Sequence, residues 1–96
     1  MNPPLTENLF HTYQKYFENR LTNKRFTHAD ILPLIKDAGK KNNLHINLLG
    51  HSIEQREIFS VEYGKGKTTV LLWSQMHGDE PTATMALFDI FNFINR

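Results

Sequence analysis

The chain has 96 residues, 11 Lys and Arg against 10 Asp and Glu, 40% apolar residues and no cysteine. That length suits one domain, and the near-neutral balance leaves no electrostatic footprint for a nucleic acid or an anionic membrane. Disulfides, cysteine zinc sites and thiol catalysis are excluded, no apolar run approaches the roughly 20 residues of a membrane span, and residues 1–7 lack a basic segment leading into an apolar one. A soluble, cytoplasmic chain is the expectation.

Leu5, Leu9, Tyr13, Phe17 and Leu21 recur at steps of four, widened by Phe10 and Tyr16, with Pro3 and Pro4 just ahead. This pattern predicts an amphipathic helix over residues 5–21. Residues 22–25 are a polar connection. A second helix is predicted over 28–38 with Ile31, Leu32, Leu34, Ile35 and Ala38 on its apolar face. Thr27 and Asp30 fit a capping pair, and Gly39 fits the position just past the end. Pro33 argues for a later start, at Asp30, because a start at Thr27 places it in the second turn, where it removes a hydrogen bond.

The period then changes. Leu44-His45-Ile46-Asn47-Leu48 alternates, as a half-buried strand does. Residues 50–55 form a turn, and Ile58, Val61 and Tyr63 suggest a second strand with a bulge. Gly64-Lys65-Gly66-Lys67 is a tight turn. It lacks the spacing of a phosphate-binding loop and precedes a strand rather than a helix. Residues 68–73, Thr-Thr-Val-Leu-Leu-Trp, suit a central strand buried on both faces. Residues 76–80 are a polar loop, and Pro81 fits the first position of a helix running through residue 95. Nine of the thirteen residues from Thr82 to Ile94 are apolar and are not confined to one stripe. Such a helix needs cover on more than one side, so the chain is expected to be incomplete or to bury residues 81–95 against a partner or a second copy. Wedging between this chain's own sheet and helices is the alternative.

Chemistry concentrates in Trp73-Ser74-Gln75-Met76-His77-Gly78-Asp79-Glu80-Pro81, polar residues between a predicted strand end and a helix, where open α/β sheets bind ligands. His77 and Glu80, spaced His-x-x-Glu, carry an imidazole and a carboxylate, both ordinary zinc donors. By themselves they read equally well as a loop histidine and a carboxylate favoured by the helix dipole.

The wider stretch resembles the M14 zinc carboxypeptidase family, including its succinylglutamate desuccinylase and aspartoacylase-like branches. In that family a buried strand ends in His-x-x-Glu before a helix, and bacterial members often carry His-Gly-Asp-Glu. Upstream, Gly50, Ser52, Arg56 and Ile58 match the family's Gly-x-Ser-x-x-Gly-Arg-x-Ile hairpin, while Gln55 stands where glycine is usual. The resemblance covers residues 44–95. Residues 28–40 fit the helix that commonly precedes the hairpin, and 1–22 match nothing.

This resemblance implies the front part of a mixed-sheet, zinc-carboxypeptidase-like (phosphorylase/hydrolase-like) α/β fold with an antiparallel hairpin, residues 28–96, behind an N-terminal helical extension, 1–27. It implies a metallopeptidase or deacylase acting on a peptide or acyl-amino acid, with His77 and Glu80 as two zinc ligands. The second histidine, the general-base glutamate and the oxyanion-stabilising arginine lie further along the family's sequence and have no counterpart here. Asp79 stands where the peptidases have arginine, which leaves open peptidase against deacylase. His45 and His51 are third-ligand candidates only in principle, and His11 and His28 are read as exposed helix or cap residues. No hydrolysis is expected from residues 1–96 alone. A noncatalytic binding or assembly module using the last helix is the alternative function.

Overall fold

The computed structural model describes residues 3–23, 25–41 and 43–95. Met1, Asn2, Lys24, Asn42 and Arg96 lie outside them, Lys24 within the predicted polar connection. Among the described residues the chain forms a small mixed α/β domain with three α-helices, one 3-10 turn and a two-stranded antiparallel sheet. No helix there is long and apolar enough to cross a membrane.

Helix α1 spans Pro3–Thr12 and runs into a 3-10 turn at Tyr13–Lys15. Pro3 and Pro4 are inside the first turn rather than ahead of it, where their missing N–H groups leave nothing unsatisfied. The predicted helix over 5–21 therefore stops early. The Thr12 hydroxyl donates to the Asn8 carbonyl at 2.6 Å, a back-bond that competes with helix continuation. Beyond it, the Tyr16 and Phe17 N–H groups both donate to the Tyr13 carbonyl. The segment after the turn is captured by the last helix. The Glu18 N–H donates to Asp89 Oδ1 at 2.6 Å, and Asn92 Nδ2 donates to the Tyr16 carbonyl at 2.9 Å. The four-residue stripe thus divides. Leu5, Leu9, Phe10 and Tyr13 are exposed, whereas Leu21 is in the core.

Helix α2 spans His28–Gly39 with Thr27 as its N-cap, so the later start at Asp30 is overturned. The Thr27 N–H donates to Asp30 Oδ2 at 2.7 Å, and His28 Nε2 lies 2.8 Å from the Glu57 carbonyl. These contacts secure a first turn that the position of Pro33 disfavoured. Pro33 does sit in the second turn, solvent-exposed. Gly39 is the last helical residue, and the helix closes on Lys40 in right-handed geometry rather than on a left-handed glycine. The glycine serves close approach instead: a Cβ there would lie 2.8 Å from Ile46 Cγ1.

Strand β1, His45–His51, pairs with β2, Glu57–Glu62, as a hairpin in which Ile46 faces Val61 and Leu48 faces Phe59. The bulge falls on β1, between Leu48 and Gly50, not on the second strand. Gly50 and His51 consequently belong to the strand, and the turn begins at Ser52. Gly64, with φ +85°, follows the end of β2.

The predicted central strand over 68–73 does not form. Residues 69–75 take no regular secondary structure, and Val70, Leu71, Leu72 and Trp73 are 58–75% exposed. A central strand needs ladder partners on both edges and apolar layers on both faces. Among the described residues the sheet consists of β1 and β2 joined to each other, so this run has neither.

Helix α3 spans Thr82–Ile94, with Pro81 as N-cap rather than as first helical residue. Phe88 is buried in a cluster with Leu21 and Leu34, against which Phe26, Ile31, Ile35, Met85 and Phe91 pack. Burial of such side chains stabilises by about 1.5–3 kcal/mol each. One side of α3 is covered by α2 and the 16–21 segment, while Ile90 stays exposed. Glu18, buried in this layer, is gripped by Arg20, which also reaches Asp37 on α2.

Candidate functional site

The polar loop before α3 is built from the helix upward. Thr84, in the first turn of α3, is 5% exposed. Its hydroxyl oxygen lies 2.6 Å from Ser74 Oγ and 2.7 Å from Gln75 Oε1. Gln75 in turn donates its side-chain N–H to the Gly78 carbonyl at 2.8 Å. That bond fixes which end of the amide is nitrogen, so Gln75 Oε1 can only accept, and the single hydroxyl hydrogen of Thr84 must go to it. Ser74 then supplies the hydrogen between the two hydroxyls. Gln75 has φ +53°, a left-handed conformation that costs a non-glycine residue roughly 1–2 kcal/mol.

Residues 77–80 close a turn through the Glu80 N–H, which donates to the His77 carbonyl at 3.2 Å. The turn explains why a three-residue spacing brings these side chains together. His77 Nδ1 lies 3.5 Å from Glu80 Oε2. Two ligands bonded at about 2.0–2.1 Å to one tetrahedral zinc are roughly 3.3 Å apart. The observed pair is within a few tenths of an ångström of that. Both side chains are well exposed, at 68% and 70%, and Gly78 has open space around its α-carbon. The contact is a solvent-exposed imidazole–carboxylate pair, two donors on one turn.

The structure joins His77 with Glu80. Among the described residues no three His, Cys, Asp or Glu side chains gather where they could share an ion. His45 and His51 are exposed on β1, paired across the ladder with Glu62 and Glu57. His11 is exposed on α1. His28 is not an exposed cap: it is half-buried and ties α2 to β2 through the Glu57 carbonyl.

The upstream hairpin has a defined turn. The Ser52 N–H donates to the Arg56 carbonyl at 2.8 Å, and the Gln55 N–H to the Ser52 carbonyl at 2.9 Å. The Arg56 N–H donates to Ser52 Oγ at 3.1 Å. Gln55 has φ +64°, the region where glycine is at ease. Arg56 pairs with Glu54 at 2.6 Å within the same turn. Ser74 and Gln75 fall inside the polar stretch singled out by sequence, but without a role, and Thr84 does not stand out at all, because a threonine in an apolar helix carries no spacing signature. Comparison with protein families, curated proteins and solved structures found no match to this chain.

Proposed function

We propose that His77 and Glu80 are two ligands of a catalytic zinc in a hydrolase resembling the M14 zinc carboxypeptidases, acting on an amide bond of a peptide or acyl-amino acid. The supporting observation is the 3.5 Å approach of His77 Nδ1 to Glu80 Oε2 across the turn that precedes α3. The hairpin adds support. Its left-handed position 55 is where the family's pattern carries glycine, and Ser52 and Arg56 build the turn through their backbone and hydroxyl groups.

A bound zinc polarises water or a substrate carbonyl as a Lewis acid. Residues of this chain would do the holding: the His77 imidazole and the Glu80 carboxylate would supply two donors from an exposed turn. A catalytic zinc takes three protein ligands and a positioned base. The third ligand and the base are therefore assigned to residues outside these 96, and residues 1–96 alone are inactive. Asp79, exposed between the two ligands, supplies no cation for a substrate carboxylate, so the reading covers peptidase and deacylase chemistry alike.

Cobalt(II) or zinc titration of the 96-residue chain tests the site. Weak binding is expected, lost in both His77→Ala and Glu80→Gln. Binding indifferent to both substitutions would overturn the reading.

A second reading, a noncatalytic assembly module, is favoured by the exposed apolar run 70–73 and by Ile90 on α3, because contiguous exposed apolar surface marks contacts. Sedimentation velocity separates the two. Concentration-dependent association without metal uptake supports assembly, and a monomer at all concentrations counts against it.

A further inference from the structure

The loop that carries His77 and Glu80 has little packing of its own. Residues 76–80 are all exposed, and beyond the adjacent residues no atom lies within 4 Å of a Cβ built at Gly78. Two donors on such a loop chelate one ion only while the turn keeps its shape. The tether visible within it is the chain of hydrogen bonds from Ser74 through Thr84 to Gln75 and on to the Gly78 carbonyl. Its anchor, the Thr84 hydroxyl, is buried on a helix whose next turn carries the core residue Phe88. Its far end grips the residue immediately after His77. Gln75 is held in left-handed backbone geometry at the same place, a strain that persists only where surroundings over-determine it.

We propose that Thr84 and Gln75 are positioning residues, which hold the 77–80 turn in the shape that lets His77 and Glu80 meet one metal ion. The proposal rests on the reading of that pair as metal ligands. Neither residue touches the ion. Gln75 ties Gly78 back to α3, and Thr84 orients the Gln75 amide so that its N–H faces the Gly78 carbonyl. Neither touches the ligand side chains, so the effect is that of one lost hydrogen bond on the turn, about 2–10-fold in an equilibrium constant.

The test uses the full 96-residue chain with cobalt(II) as probe, followed by visible absorption and calorimetry, together with amide hydrogen exchange in the absence of metal. Thr84→Val, which keeps shape and removes the hydroxyl, weakens cobalt binding by about 5-fold. Thr84→Ser restores it. Gln75→Gly, which relieves the backbone while removing the amide, weakens binding to the same extent, and the double variant is no worse than either, since one tether is cut. Without metal, Thr84→Val speeds exchange of the Glu80 amide and leaves the β1–β2 hairpin amides unchanged.

Cobalt binding lost in His77→Ala but within twofold of the parent in both Thr84→Val and Gln75→Gly overturns the proposal and leaves the ligand reading intact. Cobalt binding unaffected by His77→Ala overturns the ligand reading. Unchanged Glu80 exchange in Thr84→Val overturns the tether independently of metal. Should Thr84→Val fail to fold, Gln75→Gly, altered at a loop residue outside the core, cuts the same tether and decides between the same outcomes.

Discussion

Replacing Arg20 with methionine is expected to loosen the seat of the 16–21 segment, by an amount that depends on pH. The Arg20 guanidinium donates to Glu18 twice, from Nη2 to Oε1 at 2.8 Å and from Nε to Oε2 at 2.9 Å, and from Nη1 to Asp37 Oδ2 at 2.7 Å. Glu18 is 5% exposed, so its carboxylate cannot recover its losses from water. Hydrogen bonds to charged groups contribute about 1.5–3 kcal/mol. Methionine keeps much of the aliphatic stem, and the backbone N–H of residue 20 still reaches Glu18 Oε2. The solvent-facing Asp37 bond is left out of the sum. A loss of about 2 kcal/mol at pH 7 follows, or roughly 10 °C in Tm for a domain of this size.

Hydrogen bonds from Arg20 hold the Glu18 and Asp37 carboxyls below the usual carboxylate range. A carboxyl lowered in the folded state contributes stability that is present above its unfolded pKa, near 4, and is lost as pH falls through the lowered folded value. The parent therefore sheds this stability below about pH 4. Arg20→Met has already lost it, so the gap between the two narrows on acidification. Urea unfolding followed by circular dichroism at pH 7, 5 and 3 measures it. A gap under about 0.5 kcal/mol at pH 7, the size of an ordinary surface change, or one that widens towards pH 3, would refute the reasoning.

Gln55→Gly should raise the urea midpoint, because relief of left-handed strain (about 1–2 kcal/mol) exceeds the added freedom of the unfolded chain (about 0.4–1 kcal/mol). A lower midpoint would mean that the turn does not hold φ +64° in solution. Gly39→Ala should destabilise by about 1 kcal/mol despite alanine's better helix propensity, since overpacking against Ile46 typically costs about 1–3 kcal/mol. In an Ile46→Ala background, where the clashing Cγ1 is gone, the same Gly39→Ala change should cost nothing, and a stabilised Gly39→Ala in the parent would show that α2 does not approach β1 so closely. Trp73, the sole tryptophan, should emit at solvent-like wavelengths and be quenched readily by iodide. A blue-shifted, protected emission would mean that the 68–73 run is covered in solution.

What could be read along the chain was what neighbours in sequence decide. The amphipathic period of residues 28–38 specified α2 because 3.6-residue spacing places Ile31, Leu34 and Ala38 on one face whatever they pack against. The alternation over 44–48 and the turn before Arg56 specified the hairpin for the same local reason. The His-x-x-Glu spacing located the pair that the 77–80 turn joins, since the Glu80 N–H to His77 carbonyl bond spans only three residues.

Tertiary structure decided the rest, because each remaining outcome depended on a partner far away in sequence. Glu18 meets Asp89 and Tyr16 meets Asn92, and those captures ended a helix that its own four-residue stripe would have continued to Leu21. Anchorage of His28 to the Glu57 carbonyl accompanies a start at Thr27 with Pro33 inside the helix. The apolar run 68–73 reads as a strand by composition, yet a strand exists only where other strands accept its hydrogen bonds. The tether from Thr84 to Gly78 is likewise invisible in one dimension. It joins a helical hydroxyl to loop side chains ten and nine residues away, and only packing of α3 on the core sets where that hydroxyl points.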